Sequence, residues 1–154
     1  MAAPTIVFDL DGTLIDTAPD LVETLNVVFA REGLPPVPYE AARNAIGGGA
    51  KAMIARGVEA ERRVISPATL EHMFAEFIAH YSGHLADRSR PFSGLTDALD
   101  ALAARGCRFA VCTNKLERLS VLLLDLLSNA HDGSLLQRLK RLKNRGFLCL
   151  RNLG

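Results

Sequence analysis

Thr5-Ile6-Val7-Phe8 is an unbroken run of β-branched and aromatic residues, which predicts a buried strand ending where Asp9 begins. A helical period then takes over. Leu21, Leu25, Val28 and Phe29 share one face behind Pro19, so the pattern predicts a helix capped by Asp16 or Thr17 and stopped at Gly33. The segment "LPPVP" that follows excludes regular structure. Tyr39 to Ile46, Lys51 to Arg56 and Pro67 to Asp87 read as further helices, the last with Leu70, Phe74, Phe77 and Tyr81 as a core stripe. From Leu95, "LTDALDALAARG" is an amphipathic helix closing at Gly106, and Arg108 to Cys112 is a second strand that runs into Thr113-Asn114-Lys115. "GFLCL", around Phe147 to Leu150, is a candidate third strand.

Strands joined through helices, with small polar or acidic groups at their carboxyl ends, indicate an α/β fold with a parallel sheet, in which ligands bind beyond those ends. Asp9, Asp11 and Thr113 are therefore expected to converge. Residues i and i+2 of an extended segment project to one side, so Asp9 and Asp11 face one way and Leu10 turns into the core. Gly12 permits a sharp turn and a close approach to an anion, and Thr13 adds a hydroxyl. Two adjacent carboxylates repel, which favours one proton-carrying and one ionised group: an acid–base and a nucleophile. Their hard oxygens also suit Mg²⁺.

The 154 residues suit one domain, and 18 lysines and arginines against 17 acids give a net charge of +1. No global field points to nucleic acid or to an anionic membrane, and neither partner is expected. The run "VLLLDLL" is interrupted by Asp125 and is far shorter than the roughly 20 residues of a membrane span. Three cysteines behind a start, Met1-Ala2-Ala3-Pro4, without a basic-then-apolar leader imply reduced thiols and a cytoplasmic location; Cys107 and Cys112 read as small core residues.

"DLDGT", Asp9 to Thr13, behind an apolar strand, and Thr113 in "FAVCTNK" resemble the first and second motifs of the haloacid dehalogenase superfamily of phosphatases. "FDLDGTLIDTAPDL", "IGGGA" and "VCTNK" are most similar to its bacterial phosphoglycolate phosphatases, over about residues 4 to 124. The resemblance implies a Rossmann-like parallel sheet core, residues 1–16 and 91–127, with an inserted small all-helical cap, residues 17–90. It further implies that Asp9 attacks phosphorus and that Asp11 protonates the leaving alcohol and later activates water. Thr113, Asn114 and the Gly12-Thr13 backbone would bind the phosphoryl group of a small phosphorylated metabolite such as 2-phosphoglycolate, with Mg²⁺ held at Asp9 and Asp11.

Each assignment has a plainer reading beside it. A D-x-D pair also occurs as a solvated turn, and Thr113-Asn114 also suits the cap of a helix starting at Lys115. "GGGAK", Gly47 to Lys51, is either an anion-binding turn into a helix, with Lys51 holding the carboxylate of the substrate, or a flexible break between helices. His80 and His84 have a zinc-compatible spacing, but Gly83 between them and the lack of a nearby cysteine suit a solvated helix end.

The composition changes after Leu124. Residues 1–115 hold 20 alanines and 10 leucines, whereas residues 116–154 hold 1 alanine and 14 leucines. From Ser128 onward six basic residues, Arg138, Lys140, Arg141, Lys143, Arg145 and Arg151, meet one acid, Asp132. The family's later lysine and its additional metal-binding acids have no counterpart in this stretch, so impaired turnover is expected, from a chain whose usual ending has been replaced. The core sheet is expected to be incomplete beside the about five strands of the family, which leaves a homodimer through an exposed edge or through the tail as a candidate assembly. The alternative function is an inactive family member whose tail helix, with Leu135, Leu136, Leu139 and Leu142 opposite its basic residues, binds a partner or an acidic surface.

Overall fold

The computed structural model describes residues 3–130 and 148–150. The tail helix expected around Leu135 to Leu142 lies outside the described residues. Two compact units divide the chain, Met1–Asp16 with Arg90–Gly154, and Thr17–Ser89.

In the first unit, β1 (Thr5–Phe8), β4 (Arg108–Thr113) and β5 (Leu148–Leu150) form a parallel sheet in the order β1-β4-β5. Ile6 lies opposite Phe109 and Phe8 opposite Val111, and on the other side of β4 Thr113 lies opposite Leu150. "GFLCL" therefore does supply a strand. β1 is an edge among the described residues, and its Val7 is 59% exposed. Helix α5 (Leu95–Ala104) buries Leu99 against Phe109, with Ile6, Phe8, Leu102 and Cys107 packed around them. The Phe8 and Phe109 rings are 6.0 Å apart, so the two parallel strands are also joined through their side chains. Helix α6 (Glu117–Ala130) buries Leu119, Leu123 and Leu127, one residue per turn, and leaves Leu122 and Leu126 outside. Two short strands that the hydrophobic pattern does not announce, β2 (Ile15–Asp16) and β3 (Arg90–Pro91), pair antiparallel, Asp16 opposite Arg90. Cys107 and Cys112 are free thiols and only half-buried, not full core residues.

The second unit is all-helical, with α1 (Ala18–Arg31), α2 (Tyr39–Arg43), α3 (Ala50–Ala60) and α4 (Pro67–Gly83). Leu21, Leu25, Val28 and Phe29 of α1 are all buried, as their spacing requires. Thr17 is the N-cap residue, but neither it nor Asp16 caps through its side chain, and the Thr17 hydroxyl is buried without a partner among the described residues. Asn26 fixes the proline-rich link after α1, accepting from the Val37 amide at 2.8 Å and donating to the Val37 carbonyl at 3.3 Å.

Three helix limits differ from those expected. The helix at Tyr39 ends at Arg43, and a 3-10 turn, Ile46–Gly48, follows where the glycines begin. Helix α3 continues through Gly57 to Ala60, and a Cβ at Gly57 would lie 2.7 Å from Phe29 Cζ, so the glycine serves the close approach of that ring and does not end the helix. Helix α4 stops at Gly83, where His84 leaves helical geometry and its Nδ1 meets Asp87 Oδ2 at 2.8 Å. On α4, Phe77 and Tyr81 are buried, Met73 joins them, and Leu70 and Phe74 lie at the margin. Among the described residues no helix is long and apolar enough to cross a membrane.

Candidate active site

Leu10 is 0% exposed, and this anchors the residues on either side of it. Asp9 and Asp11, both half-buried, flank it where β1 gives way to a tight turn. The Leu10 carbonyl accepts from the amides of Leu14 and Ile15, each at 3.1 Å, and the Gly12 amide donates to the Ile15 carbonyl at 2.8 Å. That closure needs a left-handed residue, and Gly12 supplies φ +76 with nothing within 4 Å of the missing Cβ. The Gly12 amide is thus engaged within the turn, and the exposed Thr13 stands at its outer corner.

The Asp9 carboxylate accepts from the Leu10 amide through Oδ1 at 2.7 Å. Parallel pairing places the end of β4 beside the end of β1, so Thr113 and Asn114 emerge next to Leu10 and Asp11. Thr113 is 3% exposed, and its hydroxyl oxygen accepts from the Lys115 amide at 3.2 Å, as a turn-capping threonine does. Asn114 is half-buried, with its side-chain oxygen turned inward.

Lys115, which sequence reasoning did not select, reaches across. Its Nζ lies 3.1 Å from Asp11 Oδ1 and 3.3 Å from Oδ2, with the lysine side chain 4% and the aspartate side chain 13% exposed. A cation does therefore stand beside the acidic pair, although the sequence shows none at the family's usual position. Its signal was the place of Lys115 two residues after Thr113, on the strand end already identified.

Lys51 belongs to the other unit, where it is the second residue of α3 behind the N-cap Gly49, a residue at φ 84. Its Nζ pairs with Glu71 Oε1 at 2.7 Å and lies 5.0 Å from the centre of the Phe74 ring. In the same unit the rings of His80 and His84 stack at 4.4 Å, and His80 Nδ1 is 3.3 Å from Thr24 Oγ1. Burial, aided by His84 and Arg31, lowers the His80 pKa from its ordinary 6.5. Among the described residues no three of His, Cys, Asp or Glu gather to hold a metal.

The haloacid dehalogenase-like hydrolase family model matches residues 6–131, past Leu124 and through the whole of α6. The chain belongs to the haloacid dehalogenase-like hydrolases. A phosphoglycolate phosphatase of Caulobacter vibrioides is 46% identical over 121 residues, which are 79% of this chain and 51% of that protein. One from Agrobacterium fabrum is 43% identical over 125 residues, 81% of this chain and 54% of the relative. The chain thus spans about half the length of these relatives. Among solved structures, a predicted phosphoglycolate phosphatase from Haemophilus somnus superposes with a TM-score of 0.76 at 24% identity, over 96% of this chain and 62% of that one. At that identity the likeness speaks for the fold, the α/β core with helical cap of haloacid dehalogenase-like hydrolases.

Proposed function

We propose that this site hydrolyses a phosphomonoester through an aspartyl phosphate, with a small phosphorylated acid such as 2-phosphoglycolate as substrate, in a reducing cytoplasm. One observation carries the reading: Asp9 and Asp11 flank a fully buried leucine at the end of β1, with the end of β4 and a buried lysine alongside. The Leu10 amide holds Asp9 Oδ1, which leaves Oδ2 to attack phosphorus. As the phosphorus–oxygen bond to the alcohol breaks, Asp11, which takes up a proton from water once the entering phosphoryl group draws the Lys115 ammonium from it, gives that proton to the leaving oxygen. Asp11 then takes a proton from the water that attacks the phosphoaspartate, which releases phosphate and restores Asp9. The resemblance supports Thr13, Thr113 and Asn114 as binders of phosphoryl oxygens, with Gly12 shaping the turn that presents them. Lys51, at the start of α3 in the helical unit, is the proposed contact for the substrate carboxylate.

The donors present suit Mg²⁺. The Asp9 carboxylate and the Asp11 carbonyl are hard oxygens, and among the described residues none of the turn's backbone bonds is accepted by that carbonyl. With few protein ligands available, the ion would depend on water and substrate oxygens as well. When bound, it neutralises charge that builds on the phosphoryl group.

The test is phosphate release from 2-phosphoglycolate and an aryl phosphate by the full chain in Mg²⁺, beside Asp9→Asn and Asp11→Asn. Turnover by the wild type that is abolished by EDTA, and that falls by at least about 10³-fold in each variant, is the expected result. A folded wild type no faster than Asp9→Asn overturns the proposal.

A further inference from the structure

The Lys115 ammonium is buried although a leucine or methionine at that position would be cheaper to desolvate. A buried ion pair is weak evidence for stability, since apolar replacement of both partners is often neutral or favourable. Nor does Lys115 hold Asp11 in one tight bond. It straddles the two carboxylate oxygens at 3.1 and 3.3 Å, both longer than the roughly 2.7–2.9 Å of a close ammonium–carboxylate contact. Its backbone amide is tied to the Thr113 hydroxyl, so the base of the side chain is fixed to the strand end while its ammonium contacts both oxygens of Asp11. An ammonium carries three donors and no preferred plane, and it can turn toward a second anion without losing the first. Asp9, the half-buried carboxylate two residues earlier, is the group beside which a phosphoryl dianion would crowd further negative charge.

We infer that Lys115 is a phosphate-binding residue of this site: paired with Asp11 in the free chain, its ammonium is shared with a phosphoryl oxygen when a phosphate dianion enters. The inference rests on the preceding reading in one respect, that phosphate enters beside Asp9 and Asp11. It does not require turnover. It assigns to the position two residues beyond Thr113 the neutralising charge beside the acidic pair.

Binding and turnover can be measured apart. Inorganic phosphate is titrated calorimetrically into the full chain in Mg²⁺, for the wild type, Lys115→Met, Asp11→Asn and the double variant, with thermal unfolding of each recorded without phosphate. Lys115→Met should bind phosphate about 10- to 100-fold more weakly, the size of a lost charge-assisted bond, while still unfolding cooperatively. Asp11→Asn, which removes the competing carboxylate, should bind more tightly, and the gain should vanish in the double variant. A merely structural pair would not move affinity in opposite directions. Equal phosphate affinity in Lys115→Met and wild type overturns the assignment, as does a wild type that binds no phosphate. If Lys115→Met does not fold, Asp11→Asn decides, and unchanged or weaker binding there is equally fatal. Lys115-dependent binding without phosphate release from 2-phosphoglycolate would defeat the hydrolase reading and leave Lys115 in place; turnover with Lys115-independent binding would do the reverse.

Discussion

Asp20 has a carboxylate that is nearly fully engaged. Oδ1 and Oδ2 accept from the Arg88 amide at 2.9 and 3.1 Å, and Oδ2 accepts from the Ser89 amide at 2.7 Å and the Ser89 hydroxyl at 2.6 Å. With the side chain 2% exposed, Asp20→Ala would strand buried donors, and urea unfolding should show a loss of about 3 kcal/mol. Neither this clasp nor the Lys115–Asp11 pair is legible in the sequence, because the partners lie 68 or 69 residues apart in one case and 104 in the other. The acidic pair is legible, since Asp9, Leu10 and Asp11 state their alternation within three residues and Leu10 is buried as that alternation demands. Thr113 lies between the two cases. Its place at a strand end is local information, whereas its bond to the Lys115 amide depends on how the chain turns afterwards.

Helix α3 illustrates how packing overrides propensity. Gly57→Ala improves helix propensity by about 1 kcal/mol, yet the new methyl would sit 2.7 Å from Phe29 Cζ and 3.2 Å from Val37 Cγ2. The net effect should be destabilising by about 1–3 kcal/mol, read as a lower denaturation midpoint, and Phe29→Leu in the same chain should recover part of it. Glycine therefore reads as a helix end in the sequence and proves to be a contact in the structure. The two-residue strands β2 and β3 escape prediction because two residues cannot show a period. His80 on helix α4 makes its own contribution to pH-dependent stability. Since folding lowers the His80 pKa below 6.5, the folded chain binds fewer protons than the unfolded chain as pH falls past that value. The contribution is complete above pH 6.5 and declines as pH drops from there through the lowered folded value. His80→Gln should flatten that part of a stability-versus-pH profile.

Residues 17–89 hold their own core, with Phe29, Ile54, Met73, Phe77 and Tyr81 almost wholly buried, and the Asp20 clasp joins the beginning of that unit to its end. Expressed alone, this segment should give a helical circular dichroism spectrum and a cooperative thermal transition, which Asp20→Ala should lower or abolish. At this scale the sequence conveys the alternation of strand, helical block, helix and strand, because each segment is long enough to show its period. It does not convey the strand order, which puts β4 between β1 and β5. Parallel pairing of Thr5 with Arg108 has a consequence for the time course of folding. The loop to be closed contains the whole helical unit, so these contacts carry a high entropic cost and should form late. On the ribosome, Asp9 emerges early, but its companion strand and Lys115 are made only about a hundred residues afterwards. Until then the acidic turn has neither neighbour, and phosphate binding should appear only with the last stage of folding.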